Sequence, residues 1–404
     1  MPAGVWLLTL AQALSMSIAS LMVFAGGIMG SELSADPAWA TLPVALLVVG
    51  TALGVMPAAR LMHYLGRRVV FIAGATVGVL AALVAAVGIR GESFVVFSLS
   101  GLLLGTSLAV AQQYRFAAME LVAPSQTGRA AARVLLGGLV AAYLGPELVV
   151  YGGGLVERLG LGAESSIHLT FVGAFLLLSA VCTLALIVIA FGYRDRSRIG
   201  TGGHAEGRPL AEVVRNPLLW LAIIAAAMGY AMMSFMMTAT PLNMHKVIGY
   251  GLLETKWVIQ SHIIAMFLPS FVSGWLITKL GHWRVIAFGV LAFVVCLGVA
   301  ASGHELMHYW WALVLLGVGW NFLFVGGTAL LPHCHRIEER FKAQSLNEFT
   351  VFGCQAVAAL SAGWVLSHFG WNVLLTISTV MVAVVTGALW RNRGAAPGVR
   401  VPAA

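Results

Sequence analysis

Long apolar stretches separated by short polar ones run the whole length of the 404-residue chain. Twelve of them lie at roughly 5–28, 38–60, 69–89, 94–120, 130–153, 168–192, 217–243, 253–279, 285–303, 307–332, 343–367 and 371–390. Each is long enough for a helix to cross about 30 Å of hydrocarbon. In lipid the backbone has no water to bond to, so an apolar run of this length forms a helix. The run from Met1 to Gly30 has no basic start and is too long for a signal h-region, so it reads as the first span.

The polar connections decide orientation. With both termini on one side, that side carries 18 Lys and Arg, and the other carries four: Arg90, Arg158, Lys246 and Lys256. Arg115 is left inside span 4. Basic residues mark the cytoplasmic side, so both termini are expected in the cytoplasm. The longest polar stretch, 193–216, is rich in Arg and Gly and divides six spans from six. A weak internal repeat agrees with this division. ARLMHYLGRR (59–68) follows span 2 and GWLITKLGHWR (274–284) follows span 8, with Gly66 aligned on Gly281. The expected organisation is an all-α membrane protein: a six-helix half over 1–192, a linker over 193–216, and a second six-helix half with a short tail over 217–404. Two such halves suit a transporter that rocks around a central site.

Composition supports a bilayer partner and excludes other classes. The chain is 60% hydrophobic and 9% charged, against about 25% charged for a soluble domain. The net charge of +8 could suit nucleic acid, but the basic residues sit in alternate loops, so no nucleic-acid partner is expected. Cys182, Cys296, Cys334 and Cys354 show no pairing pattern. No phosphate-binding G-x-x-x-x-G-K-[ST] occurs, so ATP drive is unsupported. HELMH (304–308) fits a zinc-peptidase signature, but it falls in a short loop and neither Asp36 nor Asp195 lies in a span. An enzyme is not expected, and neither is a cofactor.

Residues 228–266 hold the candidate chemistry. Met233 and Met237 share one helix face, as do His262 and Met266 on the next helix. Counted from a turn near Gly249 at 1.5 Å per residue, Met237 and His262 lie roughly 18 and 20 Å deep, and Met233 and Met266 roughly 24 and 26 Å. Three thioethers and an imidazole could meet there, a donor set suited to Cu(I). Methionine also fills gaps in apolar helices, and Met232 and Met236 have the same spacing. His262 stands out because an ionisable residue within a span points to function. HELMH (304–308) and PHCH (332–335) could serve a soft metal at entry and exit, or be plain loop residues. Arg115 must face a cavity or a partner, which fits an organic substrate better than copper. Glu147, near the outer end of span 5, reads as interfacial.

Twelve spans, a basic central linker and Gly66-Arg67-Arg68 after span 2 resemble the major facilitator superfamily. His63 and Tyr64 depart from that loop's usual acidic and basic residues, which puts its gating salt bridge in question. QQYRFAAME (112–120), WNFLF (320–324) and QSLNEFTVFG (344–353) resemble the CcoA-like branch of bacterial transporters. That branch includes copper importers that serve cytochrome oxidase assembly, and riboflavin importers of the same fold. The copper members carry M-x-x-x-M in span 7 and H-x-x-x-M in span 8, matched here by Met233–Met237 and His262–Met266. The resemblance implies an inner-membrane copper importer working by alternating access. Copper, as Cu(I), would be its substrate, held by Met233, Met237, His262 and Met266 and passed to a cytoplasmic copper acceptor. The alternative is an importer of riboflavin or another small organic molecule, with the Met cluster as packing around an aromatic and polar cavity.

Overall fold

The computed structural model describes residues 1–122, 130, 133–160, 166–194 and 208–393. Of the basic residues counted above, Arg129, Arg196, Arg198 and Arg400 lie outside the described residues, as does most of the linker. The described chain is helical throughout its apolar runs. The helices are α1 (Ala3–Leu33), α2 (Leu42–Leu65), α3 (Arg67–Arg90), α4 (Phe94–Ala111), α5 (Tyr114–Glu120), α6 (Gly137–Arg158) and α7 (Ile167–Gly192). After the linker come α8 (Pro217–Leu242), α9 (Leu252–Phe267), α10 (Ser270–Leu280), α11 (His282–Ser302), α12 (Leu306–Leu330) and α13 (Arg340–Arg391).

Among the described residues, 11 helical stretches are long and apolar enough to cross a membrane. The last of these covers 50 residues and turns back on itself at Gly370, whose φ is 77°. An L side chain there would crowd the following carbonyl, so glycine makes the reversal possible. The chain therefore makes twelve crossings, as the sequence predicts. α4 with α5, and α9 with α10, each form one broken crossing. The second break follows from Pro269, which has no N–H to continue the ladder. Asn321 of α12 repairs it. Its Nδ2 donates to the carbonyl of Met266 at 2.7 Å and to Ser270 Oγ at 2.6 Å. Its Oδ1 accepts from Ser273 Oγ at 2.7 Å.

Gly66 and Gly281, aligned by sequence, have matching backbones: φ 80°, ψ 157° and φ 84°, ψ 160°. Each ends one crossing and starts the next. The N-terminal helices pack as α2 on α4, α3 on α4 and α7, and α1 on α6 and α7. Gly101 and Gly105, four apart on α4, let its backbone approach α2. A Cβ on either would run into the carbonyl oxygens of Pro43 and Leu47. Small residues four apart favour this close contact in membranes, where no hydrophobic drive holds helices together. In the C-terminal set, α8 packs on α12 and α13, and α11 on α12. The two sets meet through α1 on α8, α6 on α9 and α2 on α13.

The end of the bundle where α1 begins is the termini face, and the opposite end is the far face. At the far face, Lys246 pairs with Glu32, and Lys256 Nζ donates to Glu147 Oε1 at 2.8 Å. Gln260 Nε2 donates to the Tyr143 carbonyl at 3.2 Å. The Gly363 N–H donates to Thr41 Oγ1 at 3.1 Å. Each link joins the N-terminal set to the C-terminal set, so the far face is closed. Glu147 is thus a buried ion-pair partner between helices and not the interfacial residue expected from sequence. At the termini face Arg67 pairs with Glu120, so the Gly-Arg-Arg loop makes a salt bridge within its own set. Arg208, at the end of the linker, pairs in bidentate fashion with Glu339 in the turn before α13.

Candidate functional site

A cavity of about 240 Å³ lies between the two sets. It runs from Val23 and Thr238 at mid-depth to Arg115 and Glu348 near the termini face. That is close to the lower end of the range for small-molecule sites, and far more than a bare ion fills.

One wall is aromatic. Trp320 and Phe324 lie four apart on α12, so their rings share a face, and they stack at 5.3 Å with 11° between planes. Tyr230 of α8 meets both edge-on, at 5.1 Å and 4.9 Å. Phe352 of α13 lies 6.2 Å from Tyr230, and Phe267 of α9 lies 6.2 Å from Trp320. The polar lining combines five amides, Gln12, Gln112, Gln113, Asn321 and Gln355, with five Ser and Thr hydroxyls. Arg115 is the only base and Glu348 the only acid among the lining residues. The Arg115 guanidinium lies 4.8 Å from the Phe116 ring centre. Three buried polar atoms on this lining have no hydrogen-bond partner: Gln12 Oε1, Arg115 Nε and Trp320 Nε1. An unpaired polar atom costs most in an apolar interior, so the fold leaves these three groups at a cost. The surface suits a flat, largely apolar molecule with a few polar edges.

The four expected metal ligands do not share one environment. Met233, Met237 and Met266 line the cavity. His262 is fully buried and turns toward α12, where its Nδ1 lies 2.7 Å from the Leu313 carbonyl oxygen. Its Nε2 has no partner. Met232 and Met236, the alternative track, are fully buried in the helix packing. Among the described residues, no group of three or more His, Cys, Asp or Glu is placed to hold a metal ion. In HELMH, His304 Nδ1 is 3.3 Å from the Tyr309 hydroxyl. In PHCH, Cys334 Sγ donates to the Leu330 carbonyl, while the His333 ring lies 5.3 Å from that of His282. Arg115 faces the cavity, as its position in a span required.

Gln12 and Tyr230 were not singled out from sequence, and Trp320 and Phe324 entered only within WNFLF (320–324), as part of a family resemblance. A signal was present: Gln12 and Asn321 are amides inside otherwise apolar runs, and such residues face bundle interiors or cavities. Tyr230 carries no comparable signal, because aromatic residues are common in every membrane helix.

Twelve crossings around a cavity that is closed at the far face define a membrane transporter, not an enzyme. The sequence profile of the Major Facilitator Superfamily matches residues 5–334, and the chain belongs to that superfamily. It is 39% identical over 382 residues to the riboflavin transporter RfnT of Brucella anthropi, covering 94% of this chain and 93% of that protein. It is also 27% identical to YddS of Bacillus subtilis, an uncharacterised transporter of the same superfamily, over 91% of this chain and 86% of that protein. Among solved structures, a bacterial homologue of the human lysosomal transporter Spinster, inward-facing and occupied, superposes with a TM-score of 0.71. The match covers 96% of each chain at 13% identity, and shows the shared fold.

These similarities overturn copper import. A relative 39% identical over nearly the whole chain is a riboflavin transporter. The expected copper acceptor falls with it. The physical reason is visible in the cavity, where the thioethers form part of a broad wall facing aromatic rings and amides. The i, i+4 spacing that suggested a ligand pair arises equally from a helix lining a cavity with methionine.

Proposed function

We propose that the protein imports riboflavin, or a closely related flavin, across the bacterial inner membrane by alternating access. The observation that carries this reading is the 39% identity to a riboflavin transporter over 94% of the chain. The cavity supports it. An isoalloxazine ring is flat, with an apolar dimethylbenzene end and a polar imide end, and aromatic side chains favour stacked and edge-on contacts with such rings. The amides offer both donors and acceptors to the ring edge and to the ribityl hydroxyls. In this reading residues 1–192 and 217–404 are two halves that rock about the cavity, joined by 193–216. The basic termini face is cytoplasmic. The conformer described here is closed outward, with its cavity reaching toward the cytoplasm.

The test is growth of a bacterium that cannot make riboflavin and has no importer of its own. Expression of this chain is expected to restore growth at low external riboflavin and to raise uptake of labelled riboflavin. An expressed, membrane-inserted protein that gave neither would end the flavin reading.

A further inference from the structure

The cavity lining carries one inference beyond the class of substrate. The two unpaired donors are Arg115 Nε and Trp320 Nε1, and the unpaired acceptor is Gln12 Oε1. They come from α5, α12 and α1, so both helix sets contribute. All three residues line the same cavity. Trp320 adds an aromatic face to its N–H, since it stacks on Phe324. Gln12 and Trp320 are each only 4% exposed, so solvent does not satisfy them.

The deficit is two acceptors and one donor, held beside a wall of rings. An imide edge, with an N–H between two carbonyls, supplies that set. We propose that Gln12, Arg115 and Trp320 are the specificity-determining residues of the site, reading the imide edge of a planar heteroaromatic substrate. The Gln12 carbonyl accepts the imide N–H, and the donors of Arg115 and Trp320 serve its two carbonyl oxygens. This rests on the flavin reading and specifies which end of the molecule is recognised. It also explains the cost to a wrong substrate. A ring without the edge leaves three buried polar groups unpaired, and sites of that kind discriminate more sharply than apolar pockets do.

The experiment is riboflavin binding to the purified full chain in lipid nanodiscs, read by quenching of flavin fluorescence. The probes are riboflavin, its N3-methyl derivative, which lacks the imide proton, and lumichrome, which keeps the imide edge but has no ribityl chain. Wild type is expected to bind N3-methylriboflavin roughly tenfold more weakly than riboflavin, the size of one lost hydrogen bond. Gln12→Leu is expected to bind the two about equally. Trp320→Phe keeps the ring wall and loses the donor, and is expected to bind riboflavin and lumichrome roughly tenfold more weakly. Equal binding of the two riboflavins by wild type, or a methylation penalty undiminished in Gln12→Leu, would overturn the inference and leave the flavin reading standing. Absence of any flavin binding by wild type would overturn both.

Discussion

Lys256→Met should unlatch the far face. In the conformer described here, Lys256 Nζ is 2.8 Å from Glu147 Oε1, and the two side chains are 16% and 11% exposed. Removing the ammonium leaves a carboxylate with one weak neighbour, Gln260 Nε2 at 3.4 Å. Losing one partner of a fully buried pair costs about 3–5 kcal/mol. Partial exposure and the Gln260 contact reduce this to about 2–3 kcal/mol. In an outward-open conformer water reaches Glu147, so the penalty falls on the closed conformer alone. The equilibrium is then expected to move outward by about 27- to 140-fold, at 1.4 kcal/mol per tenfold. Spin labels at Ser34 and Val247, on opposite sides of the far face, would report this as longer distances by pulsed electron resonance. Cys354, the half-buried native cysteine, would be replaced first. Lys256→Met combined with Glu147→Gln should recover most of the closed population, because no charge is left stranded. An unchanged distance distribution in Lys256→Met, or equal opening in the single and double variants, would refute the reasoning.

Other parts of the fold yield further expectations. The Arg208 guanidinium and the Arg336 N–H hold the Glu339 carboxyl down to about 2, from an ordinary 4.5. A depressed carboxyl stabilises above its ordinary value and loses that contribution only as pH falls toward 2. Protease cleavage around Arg208 should therefore stay constant from pH 8 to pH 5, and rise in Glu339→Gln at neutral pH. Gly281→Ala should lower the thermal unfolding midpoint through a backbone cost of about 1–2 kcal/mol, since its φ is 84° and nothing crowds the added methyl. Gly353→Ala, with equal space and no positive φ, should leave the midpoint unchanged or slightly higher. Gly105→Leu should cost more than about 3 kcal/mol by forcing α4 off α2, seen as loss of monodisperse protein by size-exclusion chromatography. Gly298→Ala, which meets no neighbour, should purify normally.

The fold was largely legible because lipid simplifies the code. Apolar length alone marks a span, and the reversal at Gly370 was anticipated by the gap between runs 343–367 and 371–390. The Gly66–Gly281 alignment also carried real information, since both residues adopt the same positive-φ, extended-ψ backbone. The site was less legible. Period and depth placed Met233, Met237 and Met266 on a common wall, but they could not say what stood opposite. The partners of Tyr230 are Trp320 and Phe324, some ninety residues away, and only packing brings them together. His262 misled for a similar reason. A histidine in a span signals buried polarity, and its partner here is a backbone carbonyl of α12, which leaves no mark in sequence.

The far-face latch also sets a limit on scavenging. In the proposed import cycle, a substrate arriving from outside meets a binding-competent protein only in the fraction of time that face is open. Its apparent dissociation constant is the intrinsic one divided by that fraction. Every contact that steadies Glu32–Lys246 or Glu147–Lys256 would therefore weaken capture at low external concentration, even though none of these residues lines the cavity. Relatives living where their substrate is scarce should carry weaker latches at these positions, and those living in rich surroundings can keep firm ones.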